Sequence, residues 1–158
     1  MSSRSSRRPL TPGSHVTVSA AGDVGAIQID TYGAVLTAGQ AETTILASAA
    51  RTATPTKTDQ TNAAARGVLV VIDVTAIAAT PSVVFTIQGK DPLSAKYYTI
   101  LASAAITGTG TTVLRVYPGL TALANLTASD VLPRTWAIDC VHGDADSITY
   151  SVGALAIP

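Results

Sequence analysis

Two runs of residues constrain this chain more than any other feature. The first is Ala-Arg-Gly-Val-Leu-Val-Val-Ile-Asp-Val-Thr at 65–75. After Ala78-Ala79-Thr80-Pro81 comes the second, Ser-Val-Val-Phe-Thr-Ile-Gln-Gly-Lys-Asp at 82–91. β-Branched side chains are stiff at χ1 and pack well on a pleated surface, so both runs read as strands. The same pattern predicts strands near 66–77, 82–89, 96–102, 111–117, 134–142 and 147–156. Between them stand Thr80-Pro81, Gly89-Lys90-Asp91-Pro92, Thr107-Gly108-Thr109-Gly110, Tyr117-Pro118-Gly119 and His142-Gly143-Asp144-Ala145-Asp146. Each of these linkers carries residues that preset a turn or tolerate positive φ. Short strands at this spacing make the chain all-β, built as an antiparallel β-sandwich or a barrel. A jelly-roll-like sandwich is the expected form. The apolar run 68–72 is expected as a central strand covered on both sides.

Upstream the pattern is weaker. Ala26-Ile27-Gln28-Ile29 and Thr43-Thr44-Ile45-Leu46-Ala47 read as short strands, and Val16 and Val18 alternate as a first edge strand would. Residues 51–62 are polar, Thr-rich and broken by Pro55, which fits an extended loop or an outlying edge strand. At 120–131, Leu120, Leu123, Ala124 and Leu126 have helical spacing, so a short helix and a long crossover loop both remain open. Residues 1–14 mix Ser, Arg, Pro and Gly and read as an extended basic arm; residues 15–158 then form a single sandwich domain.

Charge is scarce, at 13% of residues against 47% hydrophobic, and Ala, Thr, Ser and Gly fill the deficit. A freely solvated surface normally carries about twice that share of charge, so the composition points to assembly. Of ten basic residues, Arg4, Arg7 and Arg8 fall within the first ten positions without an acid, which leaves seven bases against ten acids elsewhere. Such an arm is suited to docking on an acidic neighbour. Three arginines without interleaved aromatics make a poor nucleic-acid site, and no nucleic-acid partner is expected. No apolar run is long enough to span a bilayer, so no membrane partner is expected, and no continuous apolar stretch of a classical export signal is read near the N-terminus. The single Cys140 excludes an intrachain disulfide and reads as a buried, inert thiol.

Candidate chemistry is thin. Cys140-x-His142, followed by Asp144 and Asp146, holds metal-ligand residue types, and in a strand the first two share a face. Zinc sites draw on more thiolates or imidazoles than this, so the cluster reads as a core thiol, a strand end and a turn. Asp73 and Asp139 lie within apolar strands and invite comparison with the paired carboxylates of glycosidases. The simpler reading puts each on a solvent face, opposite Arg66, Arg115 or Arg134. Gly-x-Ser-x-Gly is absent, and Gly108-Thr109-Gly110 lacks the lysine and helix of a phosphate loop, so it reads as a hairpin. Tyr97 and Tyr98 point to opposite faces, one buried and one at the surface, and Trp136 is expected as a core anchor. No catalytic residue, cofactor or metal is expected, and the chain is not read as an enzyme.

A resemblance rests on the segments at 65–76 and 81–92, together with Lys-Tyr-Tyr-Thr-Ile-Leu at 96–101 and Val-Tyr-Pro-Gly-Leu at 116–120. Leu-Pro-Arg-Thr-Trp at 132–136 and His-Gly-Asp-Ala-Asp-Ser-Ile-Thr-Tyr-Ser-Val-Gly at 142–153 complete the set. Over residues 63–158 the chain resembles small β-rich virion proteins encoded among the structural genes of tailed bacteriophages. That resemblance implies a virion component. The expectation built on it is a capsid decoration protein on the outer surface of the head, bound to the major capsid protein and self-associated, as a trimer at threefold positions. In this picture Arg4, Arg7 and Arg8 form the capsid-contact arm. The alternative is a tail or baseplate component that binds a host-surface glycan, marked by an exposed aromatic beside paired polar groups.

Overall fold

A computed structural model of the chain describes residues 42–158. The arm at 1–14 with Arg4, Arg7 and Arg8, the boundary that follows it, and the strands read at 16–18 and 26–29 lie outside the described residues. Nine strands and no helix are found within them: β1 (Glu42–Arg51), β2 (Gln60–Thr61), β3 (Gly67–Ile77), β4 (Val83–Lys90), β5 (Tyr97–Ala102), β6 (Gly110–Val116), β7 (Thr127–Ala128), β8 (Thr135–His142) and β9 (Ile148–Ile157). They form two sheets, one ordered β1-β9-β3-β6-β7 and the other β2-β8-β4-β5. Every pairing is antiparallel except β6 with β7.

Alternation along each strand builds the core. In β3, Val68, Val70, Ile72 and Val74 turn inward and are buried, and β9 adds Ile148, Tyr150, Val152 and Ala154 in register beside them. From the second sheet come Val83, Phe85 and Ile87 on β4, Trp136, Ile138 and Cys140 on β8, and Leu101 on β5. All belong to one apolar cluster, so the inward rows of the two sheets meet in a single core. Burying each aliphatic or Phe side chain is worth about 1.5–3 kcal/mol. Every position of the inward rows therefore penalises a register slip, which would turn the whole row to solvent.

Two expectations are corrected here, and one left open is decided. β3 is central in its sheet, but among the described residues only one of its faces packs into the core: Leu69 and Val71 point outward and are only partly buried. Their row runs Glu42–Leu155–Leu69–Arg115 across four strands, with apolar residues between two charges. Gly108 and Gly110 do not shape a hairpin, because β5 and β6 lie in different sheets and the segment crosses between them. Gly110 takes a φ of +136° at that crossing, a region that a side chain disfavours. Of the two readings of residues 120–131, the structure has the loop, with β7 inside it, and no helix. Its carbonyls serve the outer edge of β6, Leu126 O accepting from Arg115 N at 2.8 Å and Ala128 O from Tyr117 N at 3.2 Å. Leu123 and Leu126 are exposed, so a helix there would have had no apolar face to bury.

β3 enters its sheet at a point of close backbone approach. A Cβ on Gly67 would collide with the Val116 carbonyl oxygen and lie 2.6 Å from Tyr117 Cδ2, whereas one on Gly153 meets nothing within 4 Å. Gly67→Ala is expected to cost about 1–3 kcal/mol through this overpacking. Gly153→Ala is expected to leave the denaturant midpoint unchanged or raise it. Equal losses in the two variants would contradict the β3–β6 register.

Candidate functional site

After Arg51 the chain leaves the first sheet and runs along the free margin of the second. Thr54 Oγ1 accepts the His142 backbone N–H at 3.0 Å. Lys57 Nζ then reaches over β8, donating to Gln88 Oε1 at 2.7 Å and to Asp139 Oδ2 at 3.4 Å, and sits 3.8 Å above the Tyr97 ring centre. Asp59 takes the Lys90 ammonium at 2.5 Å and the Tyr97 hydroxyl. Gln60 and Thr61 pair with Trp136 and Thr135, and Asn62 N bonds Arg134 O at 2.7 Å. Both readings of residues 51–62 thus hold for part of the segment, a loop that ends in an outlying edge strand. Pro55 fits because that margin asks no N–H of it. The Lys90 ammonium, and after it the Tyr97 hydroxyl, holds the Asp59 carboxyl below the usual carboxylate range. The same contact raises Lys90 and Tyr97. Lys57 and Asp139 keep about a fifth of their side-chain surface exposed. Pairs of this kind contribute about 0–1 kcal/mol each, so the strap is held by its number of contacts.

Asp73 and Asp139 do not converge. They occupy the outer faces of different sheets, Asp73 accepting the Thr111 hydroxyl at 2.9 Å and Asp139 bonding Lys57. The arginine partners expected for them are replaced by a threonine and a lysine. Cys140 and His142 do share the inward face, and Tyr150 meets both. Its hydroxyl lies 3.2 Å from His142 Nε2, while the Arg51 guanidinium sits 4.5 Å above its ring. Arg51 also donates to the carbonyls of Ala47, Ala49 and Tyr150 across the bulged part of β1. Burial pushes the Cys140 thiol up to about 12 and raises Tyr150 as well. Asp144 and Asp146 serve their turn, accepting from Asp146 N and Thr80 N at 3.0 Å. Among the described residues no three His, Cys, Asp or Glu side chains stand together as a metal site.

The aromatic residues are largely committed to the fold. Trp136 is buried, as expected of a core anchor. Tyr97 and Tyr98 do face opposite ways, but neither is fully buried. Tyr97 has its hydroxyl on Asp59 and its ring beneath Lys57, while Tyr98, 48% exposed, lies over Gly89.

What the sequence does not reveal is a set of apolar residues presented to solvent on hydrogen-bonded turns. Leu93 is 95% exposed at the tip of the β4–β5 hairpin. Asp91 braces this tip from both sides: its carboxylate accepts Leu93 N at 3.0 Å and the Ser94 hydroxyl, its carbonyl accepts Ala95 N, and its own N–H bonds Lys96 O. The Asp-Pro pair signals the turn, but nothing local signals that the leucine stays uncovered. Val131 and Leu123 are more than half exposed in the segment that borders β6. Beside them a depression of about 510 Å³ is lined by small neutral residues, among them Ala104, Gly108, Thr111 and Ala124.

A buried thiol held near 12 has almost no thiolate at neutral pH. Cys140 is therefore expected to resist an aromatic disulfide reagent at pH 8 in the native protein and to react within minutes in denaturant. Fast native labelling would place Cys140 at the surface. No family model, no curated protein and no solved structure matches this chain.

Proposed function

We propose that the chain is a structural component of a tailed-phage virion, a capsid decoration protein that binds the major capsid protein lattice and stabilises the head. The observation that carries this reading is the strand order. With the two-residue β7 set aside, the sheets run first-eighth-third-sixth and second-seventh-fourth-fifth in chain order. That is the order of a double Greek key, so we read the two sheets as a jelly-roll β-sandwich, an architecture shared by viral capsid and lectin domains. Two further features support the virion reading: the low charge of the chain and the braced, solvent-facing Leu93.

In this reading the protein works by contact rather than catalysis, self-associates, and sits on the outer surface of the head. A trimer matches threefold lattice positions, and many weak contacts are multiplied by the lattice. Arg4, Arg7 and Arg8 reach onto the capsid protein. Leu93 is pre-positioned to fill an apolar socket with little ordering cost.

Gold-labelled antibody on purified virions is expected to mark the head. Labels confined to the tail would favour the glycan-binding alternative, and unlabelled virions would remove the virion reading altogether. In co-sedimentation with capsids, Leu93→Asp is expected to weaken binding at least tenfold, about 1.4 kcal/mol. Removal of residues 1–14 is expected to weaken it as well.

A further inference from the structure

His142 joins three parts of the molecule at one end. Its ring, on β8 of the second sheet, reaches the hydroxyl of Tyr150 on β9 of the first, and its backbone N–H holds Thr54 at the start of the strap. The other ring nitrogen, Nδ1, is sealed from solvent and has no hydrogen-bond partner. A neutral imidazole tolerates this, with its one proton on Nε2 facing the Tyr150 oxygen and a bare nitrogen at Nδ1. An imidazolium does not, because its second N–H would point into closed space without an acceptor.

We propose that His142 is an acid-sensitive clasp: protonation at Nδ1 breaks its link to Tyr150 and opens the end of the molecule where the strap begins. The groups around it oppose the charged form on balance. Desolvation is the largest influence, and the Arg51 cation on β1 adds to it. Asp144 in the following turn favours the charged form but is outweighed. Tyr150 and Cys140, the other titratable neighbours among the described residues, are neutral at physiological pH and supply no counter-charge. Phe85 packs against Tyr150 in a T-shaped pair, the ring centres 5.0 Å apart.

The sign follows from these contacts. His142 titrates below its ordinary value of 6.5 while the clasp is closed and returns toward that value when it opens. The open form therefore binds more protons. The closed form is fully favoured above 6.5, loses ground as pH falls toward the depressed value, and changes no further below it.

Hydrogen exchange on the full chain, corrected for intrinsic rates, tests this between pH 7.5 and pH 5.0. Peptides covering 51–58 and 141–150 are expected to open more at acid pH, by up to about tenfold per pH unit inside the window, while β3 stays protected. His142→Gln, which cannot take up the proton, is expected to show no acid response whatever its level of protection. An equal acid response in His142→Gln would overturn the proposal. Should that variant fail to fold, an NMR titration of His142 in the native chain decides: a midpoint well below 6.5 supports the clasp, and one at or above 6.5 overturns it.

Discussion

Tyr150 is the largest wholly buried side chain among the described residues, and each part of it is held by a different element. Its ring belongs to the inward row of β9, its edge meets Phe85 from the opposite sheet, and its face lies under Arg51 from β1. A buried phenol needs a partner for its hydroxyl, and His142 on β8 supplies it. The requirement passes outward from there. His142 must close β8 with a neutral ring, and its backbone N–H then fixes Thr54 and the line of the strap. Arg51 can stay beside the ring because three backbone carbonyls absorb its donors, which also accounts for a bulge in the edge strand at that point. A single aromatic residue thus sets the relation between the two sheets at that end.

The strap answers a separate problem. Successive strands change sheets repeatedly, from β1 to β2, β2 to β3, β3 to β4, β5 to β6, β7 to β8 and β8 to β9. Most pairing is therefore long-range, β4–β5 and β6–β7 excepted, which makes for slow folding and for margins exposed along the way. β8 would be one such margin. It is closed by Thr54, by the Lys57 side chain laid across to β4, and by two residues of β2. On the other sheet, the 120–128 segment closes the margin of β6 in the same manner.

The strands were legible from sequence because their signal is local. Alternation and turn residues place β3, β4, β5, β6, β8 and β9 within a residue or two of their observed ends. Their allocation to sheets was not legible, and the hairpin read at Gly108–Gly110 shows why: the same glycines serve a reversal within a sheet and a crossing between sheets. Contacts that define the site lie far apart in the chain, Arg51 with Tyr150 by 99 residues, His142 with Thr54 by 88 and Lys57 with Asp139 by 82. Period-two patterning cannot reach that distance. It did pair Cys140 with His142 on one face, but the third member, Tyr150, arrives from another strand. For the same reason Asp139 was assigned an arginine partner, when the cation comes from a lysine in a loop.

The scarcity of charge acquires a structural meaning from the aspartates. Each of the seven among the described residues accepts a hydrogen bond from within the chain. Asp91, Asp130, Asp144 and Asp146 receive backbone N–H groups at turns, while Asp59, Asp73 and Asp139 receive side chains on the sheet faces. An acid used this way fixes geometry and keeps less of its charge available to solvate the surface. The outward row of the five-stranded sheet depends on its two ends for charge, Glu42 and Arg115, with Leu155 and Leu69 half-covered between them. Leu93 is the most exposed of the large apolar side chains among the described residues, and it meets water on a turn that Asp91 holds rigid.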